Sequence, residues 1–237
     1  MVDLIPKENF PYSEINKHTI QGFLYSYFKE SCPDFHDAKG FKFFCYSDVF
    51  PHNDYIEDVK KTIIVSSPDK SFIDFLNSHL EGNKVISGHP FEIKSKAINV
   101  PFNRIWITGS PVVLYKDNKK NLYFSFERDK DLIFFLDRIK DNALRKFNAF
   151  YNEEYYFEDN IFDRLIFSKE VVVNTIKKGN EFIIIGSMWK NLEKEYISRD
   201  DKRFYSFLME SGIGEKNSMG FGFVNPVKLN RNKVSGA

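Results

Sequence analysis

Apolar positions recur along this chain with two periods, and the switches between them predict its elements. Ile20, Phe23, Leu24, Tyr27 and Phe28 fall at i, i+3, i+4, i+7 and i+8, one stripe of a helix from about Thr19 to Ser31. Upstream, Val2–Ile5 reads as a short strand. Downstream, FKFFCYSDVF (Phe41–Phe50) and TIIVSS (Thr62–Ser67) read as strands, then a helix at about Ser71–Leu80 and a strand at about His89–Ile98. The order strand, helix, strand, strand, helix, strand is that of a ferredoxin-like fold.

The second half repeats the order. RIWITGSPVVLY and LYFSFERD are strand-like, and Asp129 or Asp131 caps a helix reaching about Tyr151. NEEYYFED (Asn152–Asp159) reads as an acidic loop. DRLIFSKEVVVNTI and EFIIIGSMW flank Lys177–Asn180, a hairpin signal because Gly179 accepts a positive φ. Asp200–Glu210 is a short helix with Gly212 as its C-terminal cap, and FGFVNPVKL is a last strand. The chain therefore reads as α+β, two tandem ferredoxin-like (RRM-like) domains, residues 1–100 and 101–237.

Composition narrows the picture. No run approaches the roughly 18 apolar residues of a membrane span, and MVDLIPKENF lacks the basic start and long apolar stretch of a signal peptide. The expectation is a soluble, cytoplasmic protein with no membrane partner. Cys32 and Cys45 are too few for a disulfide framework or a four-ligand zinc site. With no His-Glu-x-x-His or paired-Cys motif either, no metal or cofactor is expected. Net charge is only +1, but Lys202–Ala237 carries six basic residues against two acidic ones. That excess suits a polyanion, or simply a solvated surface.

SGIGEKNSMGFGFV (Ser211–Val224) gathers four of the 12 glycines around a Lys and an Asn. Phosphate loops run from a strand into a helix, whose N-terminus supplies free amides. Here a helix precedes the loop and a strand follows, so a nucleotide site is disfavoured. Four glycines in so short a span indicate backbone held close to something else. Residue types leave two readings open: a loop gripping a sugar–phosphate backbone through Lys216 and Asn217, or a tight connection packed on the sheet.

GIGEKNSMGFGFV strongly resembles the C-terminal glycine-rich motif of the CRISPR-associated endoribonucleases that process precursor crRNA (the Cas-six family of the RAMP superfamily). HTIQGFLYSYFKES followed by FHDAKGFKFFCYSDVF is similar to that family's first helix and to the His-bearing loop entering its second strand. Between these anchors, about residues 55–160, the likeness lies in element order. One departure is the short first strand, which puts its sheet edge in question.

The resemblance implies metal-independent cleavage of CRISPR repeat RNA. A ribose 2′-OH attacks the adjacent phosphate, leaving a 2′,3′-cyclic phosphate and a 5′-OH. Tyr25, His36 and Lys42 match the family's catalytic pattern. His36 is expected as general acid/base, Tyr25 as a positioning group or base partner, and Lys42 as the electrostatic stabiliser. Tyr25 also stands on the polar side of its helix with Gln21 and His18, the rival histidine; His52, His79 and His89 lie outside the motif. The expected RNA contacts are Gly212, Gly214, Lys216, Asn217, Ser218, Gly220 and Gly222, with Lys177 and Lys178 at the hairpin tip and Arg145, beside Lys146, on a helix. A CRISPR effector complex and a homodimer stay open as partners. Two other readings stand beside the enzyme: a repeat-RNA-binding protein that cuts slowly or not at all, and a binder of a small phosphorylated ligand.

Overall fold

The computed structural model describes residues 1–31, 40–177 and 180–227. β1 (Val2–Pro6) leads to α1 (Lys17–Ser31). The side-chain oxygen of Asn16 accepts from the Thr19 amide at 3.0 Å and from its hydroxyl at 3.2 Å. A cap of this kind contributes about 1 kcal/mol, and it starts the helix ahead of the apolar stripe.

β2 (Cys45–Tyr46), β3 (Lys61–Ile63) and β4 (Val65–Ser66) precede α2 (Lys70–His79), which Asp69 caps by accepting from the Ser71 and Phe72 amides. The hairpin β5 (Gly82–Ile86) and β6 (His89–Ser95) follows. The sheet order is β3-β1-β6-β5, and β2 pairs with β4. β1 is short but central, hydrogen-bonded antiparallel to both β3 and β6, so its length leaves no open edge. The order is ferredoxin-like with β5 added outside; most of β5 is exposed, which removes the alternation that would have announced it.

β7 (Ile105–Thr108), β8 (Tyr115–Asp117), β9 (Leu122–Tyr123), α3 (Phe126–Asp129) and α4 (Leu132–Tyr151) open the second unit. The long hairpin β10 (Arg164–Lys177) and β11 (Asn180–Glu193), then α5 (Lys202–Ser211) and β12 (Val224–Pro226), complete it. Its sheet order, β10-β11-β7-β12, is again ferredoxin-like and antiparallel throughout.

Three expected strands are shorter here. RIWITGSPVVLY breaks after Thr108, where the Gly109 amide donates to the Phe223 carbonyl and Pro111 has no amide to give. LYFSFERD turns into α3 because the Ser125 hydroxyl accepts from the Arg128 amide. Asp131, not Asp129, caps α4. The third, Phe41–Phe50, pairs in the sheet only at Cys45–Tyr46, with an isolated bridge from Phe50 to Thr62. Its alternation serves two cores instead. Phe44 enters the first, against Phe72 (ring centres 5.0 Å apart) and Phe28. Phe43 packs on the second, against Phe150 at 4.9 Å and Phe207. This segment is the seam between the two units.

No helix among the described residues is long and apolar enough to cross a membrane.

Candidate active site at the glycine-rich loop

The loop Gly212–Gly222 sits on that seam. Gly212, at φ 80°, ends α5; Lys216 is left-handed at φ 59°; Asn217–Met219 form one 3-10 turn closed by Gly220 at φ 81°. What the glycines approach is the protein itself. A Cβ at Gly212 would stand 3.0 Å from Cys45, at Gly214 2.7 Å from the Val113 carbonyl, at Gly220 2.3 Å from the Tyr46 ring, and at Gly222 1.8 Å from the Ile213 carbonyl oxygen. The glycines thus have a packing reason, and the packing leaves the loop's expected RNA contacts untouched as a reading.

Two cations grip the loop from opposite units, Lys146 buried and Lys17 partly so. Lys146 of α4, only 4% exposed, donates to the Gly212 carbonyl at 2.7 Å, to the Gly214 carbonyl at 3.3 Å and to Asn217 Oδ1 at 2.9 Å. Burial pushes its ammonium down to about 7, opposed by Cys45 and Glu215. Lys17 of α1 donates to the Gly220 carbonyl at 2.6 Å and pairs with Asp48. Asn217, expected from the sequence to contact RNA, is turned inward: it is 7% exposed, and Nδ2 donates to the carbonyls of Ile213 and Phe221 at 3.1 and 3.0 Å. Glu215 anchors the rim, accepting from Arg138 at 2.6 Å and from the Tyr115 amide at 2.7 Å.

Lys216, Ser218 and Met219 stay partly exposed. Lys216 lies over the Tyr115 ring, 5.2 Å from its centre, with no carboxylate partner among the described residues. Ser218 faces the other unit. The turn that carries it packs on α1, with Ser218 beside Tyr25, and burial raises the Tyr25 phenol above its ordinary value. Tyr25 is less polar in setting than its helix position suggests: its ring packs on Phe28 and Phe44. His18 is exposed on the same helix face and contacts Gln21 at 3.3 Å.

Lys42 is half-buried just before β2, its carbonyl accepting from the Phe44 amide at 2.9 Å. Lys177 ends β10; His36, Cys32 and Lys178 lie outside the described residues. Arg145 is half-exposed and paired with Asp141 at 3.1 Å along its own helix. Its neighbour Lys146, not Arg145, reaches the loop. Sequence reasoning gave Lys146 no role at the loop and passed over Lys17 altogether. The signal for Lys146 was present: Asn142 and Lys146 fall on the stripe of Phe135, Ile139, Ala143 and Phe147, where a polar residue demands a buried partner. Cys45 is buried, its thiol pushed up to about 12, as befits an inert packing residue. No cluster of three or more metal-ligating side chains occurs among the described residues.

Comparison with known proteins agrees with this arrangement. The family model for the C-terminal part of CRISPR associated protein Cas6 matches residues 92–226. The chain is 43% identical over 237 residues to CRISPR-associated endoribonuclease Cas6 2 of Methanocaldococcus jannaschii, covering 96% of this chain and 98% of that one. Two solved structures share the fold, each across 96% of this chain and 98% of theirs: a CRISPR associated protein Cas6 (TM-score 0.66, 23% identity) and a RAMP protein binding different RNA substrates (TM-score 0.67, 18% identity). Tandem ferredoxin-like units, a glycine-rich loop at their seam and a near full-length relative at this identity converge on one assignment: the chain belongs to the Cas6 family.

Proposed function

We propose that this protein is an endoribonuclease that binds CRISPR repeat RNA in precursor crRNA and cuts it without a metal. The observation that carries the reading is the packing of the turn Asn217–Met219 on α1, which brings the family's candidate catalytic helix and its glycine-rich loop together, with Ser218 beside Tyr25. The near full-length relative is itself named an endoribonuclease.

In this reading the ribose 2′-oxygen attacks the adjacent phosphorus as its proton is removed. The bond to the 5′-oxygen breaks, and that oxygen takes a proton, giving a 2′,3′-cyclic phosphate and a 5′-OH. His36 serves as the acid/base. Tyr25 is a poor base, since an unperturbed phenol has a pKa of about 10 and burial raises this one further. It acts as a protonated donor that orients the scissile group. Lys42 stabilises the charge gathering on the phosphate. Lys216 and Ser218, the partly exposed polar side chains of the loop, contact the RNA backbone together with the loop's main chain. The same reading places the reaction in the cytoplasm.

The test is cleavage of the host's repeat RNA in excess EDTA, beside a series carrying one 2′-deoxy nucleotide at each position. Cleavage that survives EDTA and is abolished by a single deoxy substitution is the expected result. Tight binding without a cut would make the protein a repeat-RNA binder, and neither binding nor cutting would overturn both.

A further inference from the structure

We propose that Lys146 is a positioning residue for RNA cleavage: seated inside α4, it holds the base of the loop that presents Ser218 to Tyr25. The inference rests on the function proposed above and adds a residue to it that touches no substrate.

Lys146 has no carboxylate within ion-pair distance among the described residues. Its three neighbours are neutral oxygens, the carbonyls of Gly212 and Gly214 and the amide oxygen of Asn217. Burying an ammonium against neutral acceptors is costly, and an apolar side chain of similar length would fill the same volume. Packing therefore does not account for the charge. Geometry does. Gly212 is where the chain leaves α5, Gly214 has a positive φ of 69°, and Asn217 cross-links both limbs of the loop through Ile213 and Phe221. Three donors on one ammonium meet three acceptors spread along the loop's first limb, and Ser218 is the next residue in the chain. Without the ammonium, the Gly212 carbonyl and Asn217 Oδ1 lose their donor in a dry interior. The Asn217 bridge then loosens and Ser218 drifts from Tyr25. The charged or titratable groups facing Lys146 are Cys45 of β2 and Glu215 of the loop, the latter held by Arg138.

The experiment is a double-mutant cycle on single-turnover cleavage of repeat RNA by the full chain, with RNA affinity and thermal unfolding measured for each variant. Lys146→Met should slow cleavage by about 100-fold, the size of a small misplacement of a catalytic group, at unchanged RNA affinity. Because Lys146 acts through Ser218, Lys146→Met with Ser218→Ala should be no slower than the slower single variant. Losses that multiply, an unaltered rate in Lys146→Met, or an unaltered rate in Ser218→Ala would each overturn the proposal. Should Lys146→Met not fold, Asn217→Asp takes its place. It keeps an acceptor for Lys146 but strips the donations to Ile213 and Phe221, and the same non-multiplying loss with Ser218→Ala is expected; a multiplying loss overturns the idea. A wild-type chain that does not cut RNA would instead defeat the enzyme reading itself.

Discussion

Lys17 on the first helix donates its ammonium to the Gly220 carbonyl at 2.6 Å, a bond that spans 203 positions of sequence. The same ammonium pairs with Asp48, and its side chain is 15% exposed. Lys17→Met would leave a carboxylate and a carbonyl without a donor at the seam. Breaking one side of a fully buried pair costs about 3–5 kcal/mol; here Asp48 keeps 23% of its side chain exposed, so urea unfolding should show a smaller loss of about 1–3 kcal/mol. A loss below about 1 kcal/mol would class the pair with exposed ion pairs.

Glycine-to-alanine variants should separate by what each new methyl meets. At Gly222 it strikes the Ile213 carbonyl at a positive φ of 71°, and at Gly220 the Tyr46 ring. At Gly22, exposed in the middle of α1, it meets nothing within 4 Å. Gly22→Ala should stabilise by about 0.5–1 kcal/mol through helix propensity alone. Gly222→Ala should be the most damaging, beyond about 3 kcal/mol, with Gly220→Ala between. Melting temperatures in any other order would contradict the close approaches described.

Tyr25→Phe keeps the ring against Phe28 and Phe44 and deletes the hydroxyl beside Ser218. Stability should change by about 1 kcal/mol or less, the usual worth of one hydrogen bond. Cleavage should fall by about 100-fold, typical for removal of a positioned proton donor. An unchanged rate would reduce Tyr25 to a packing residue.

His89 supplies a pH test away from the site. Its ring stacks on Phe10 with centres 3.7 Å apart, Nδ1 meets Glu8 at 2.7 Å and Nε2 meets Glu14 at 2.8 Å. Burial lowers its pKa, the two carboxylates raise it, and the carboxylates prevail. A raised folded-state value means that the clasp contributes fully below the unfolded value of about 6.5 and is lost as pH rises through the folded one. His89→Phe keeps the stack and removes both donors. The gap in melting temperature between wild type and variant should be widest near pH 5–6 and close by about pH 9. A gap that does not move with pH would mean that the imidazolium is not what holds Glu8 and Glu14.

Element order was legible because helices and strands announce themselves by period. The stripe through Ile20, Phe23 and Leu24, and the apolar runs around the hairpin turn, leave few alternatives. Phe41–Phe50 misled for a physical reason: alternation normally means two faces of a sheet, whereas Phe43 and Phe44 point into two different cores. Of the site, Tyr25 and the glycine-rich loop were legible as chemistry, but the direction of the loop was not. Whether Asn217 looks outward or inward depends on a lysine far away in the chain. Lys146 itself reads as solvated until its place on the α4 stripe is given more weight than its charge.

The four glycines of the loop are dictated by Cys45, Val113, Tyr46 and Ile213, none of which takes part in the proposed reaction. The signature by which such chains are found is therefore a mark of assembly rather than of turnover. A relative that had lost Tyr25 and its partners would still be obliged to keep its glycines: Gly212 and Gly220 because its two halves would otherwise not close on Cys45 and Tyr46, Gly214 and Gly222 because the loop would otherwise not fold against Val113 and Ile213. Sorting active members from silent ones has to begin at the first helix and the loop after it, with the glycines serving only to show that the halves meet.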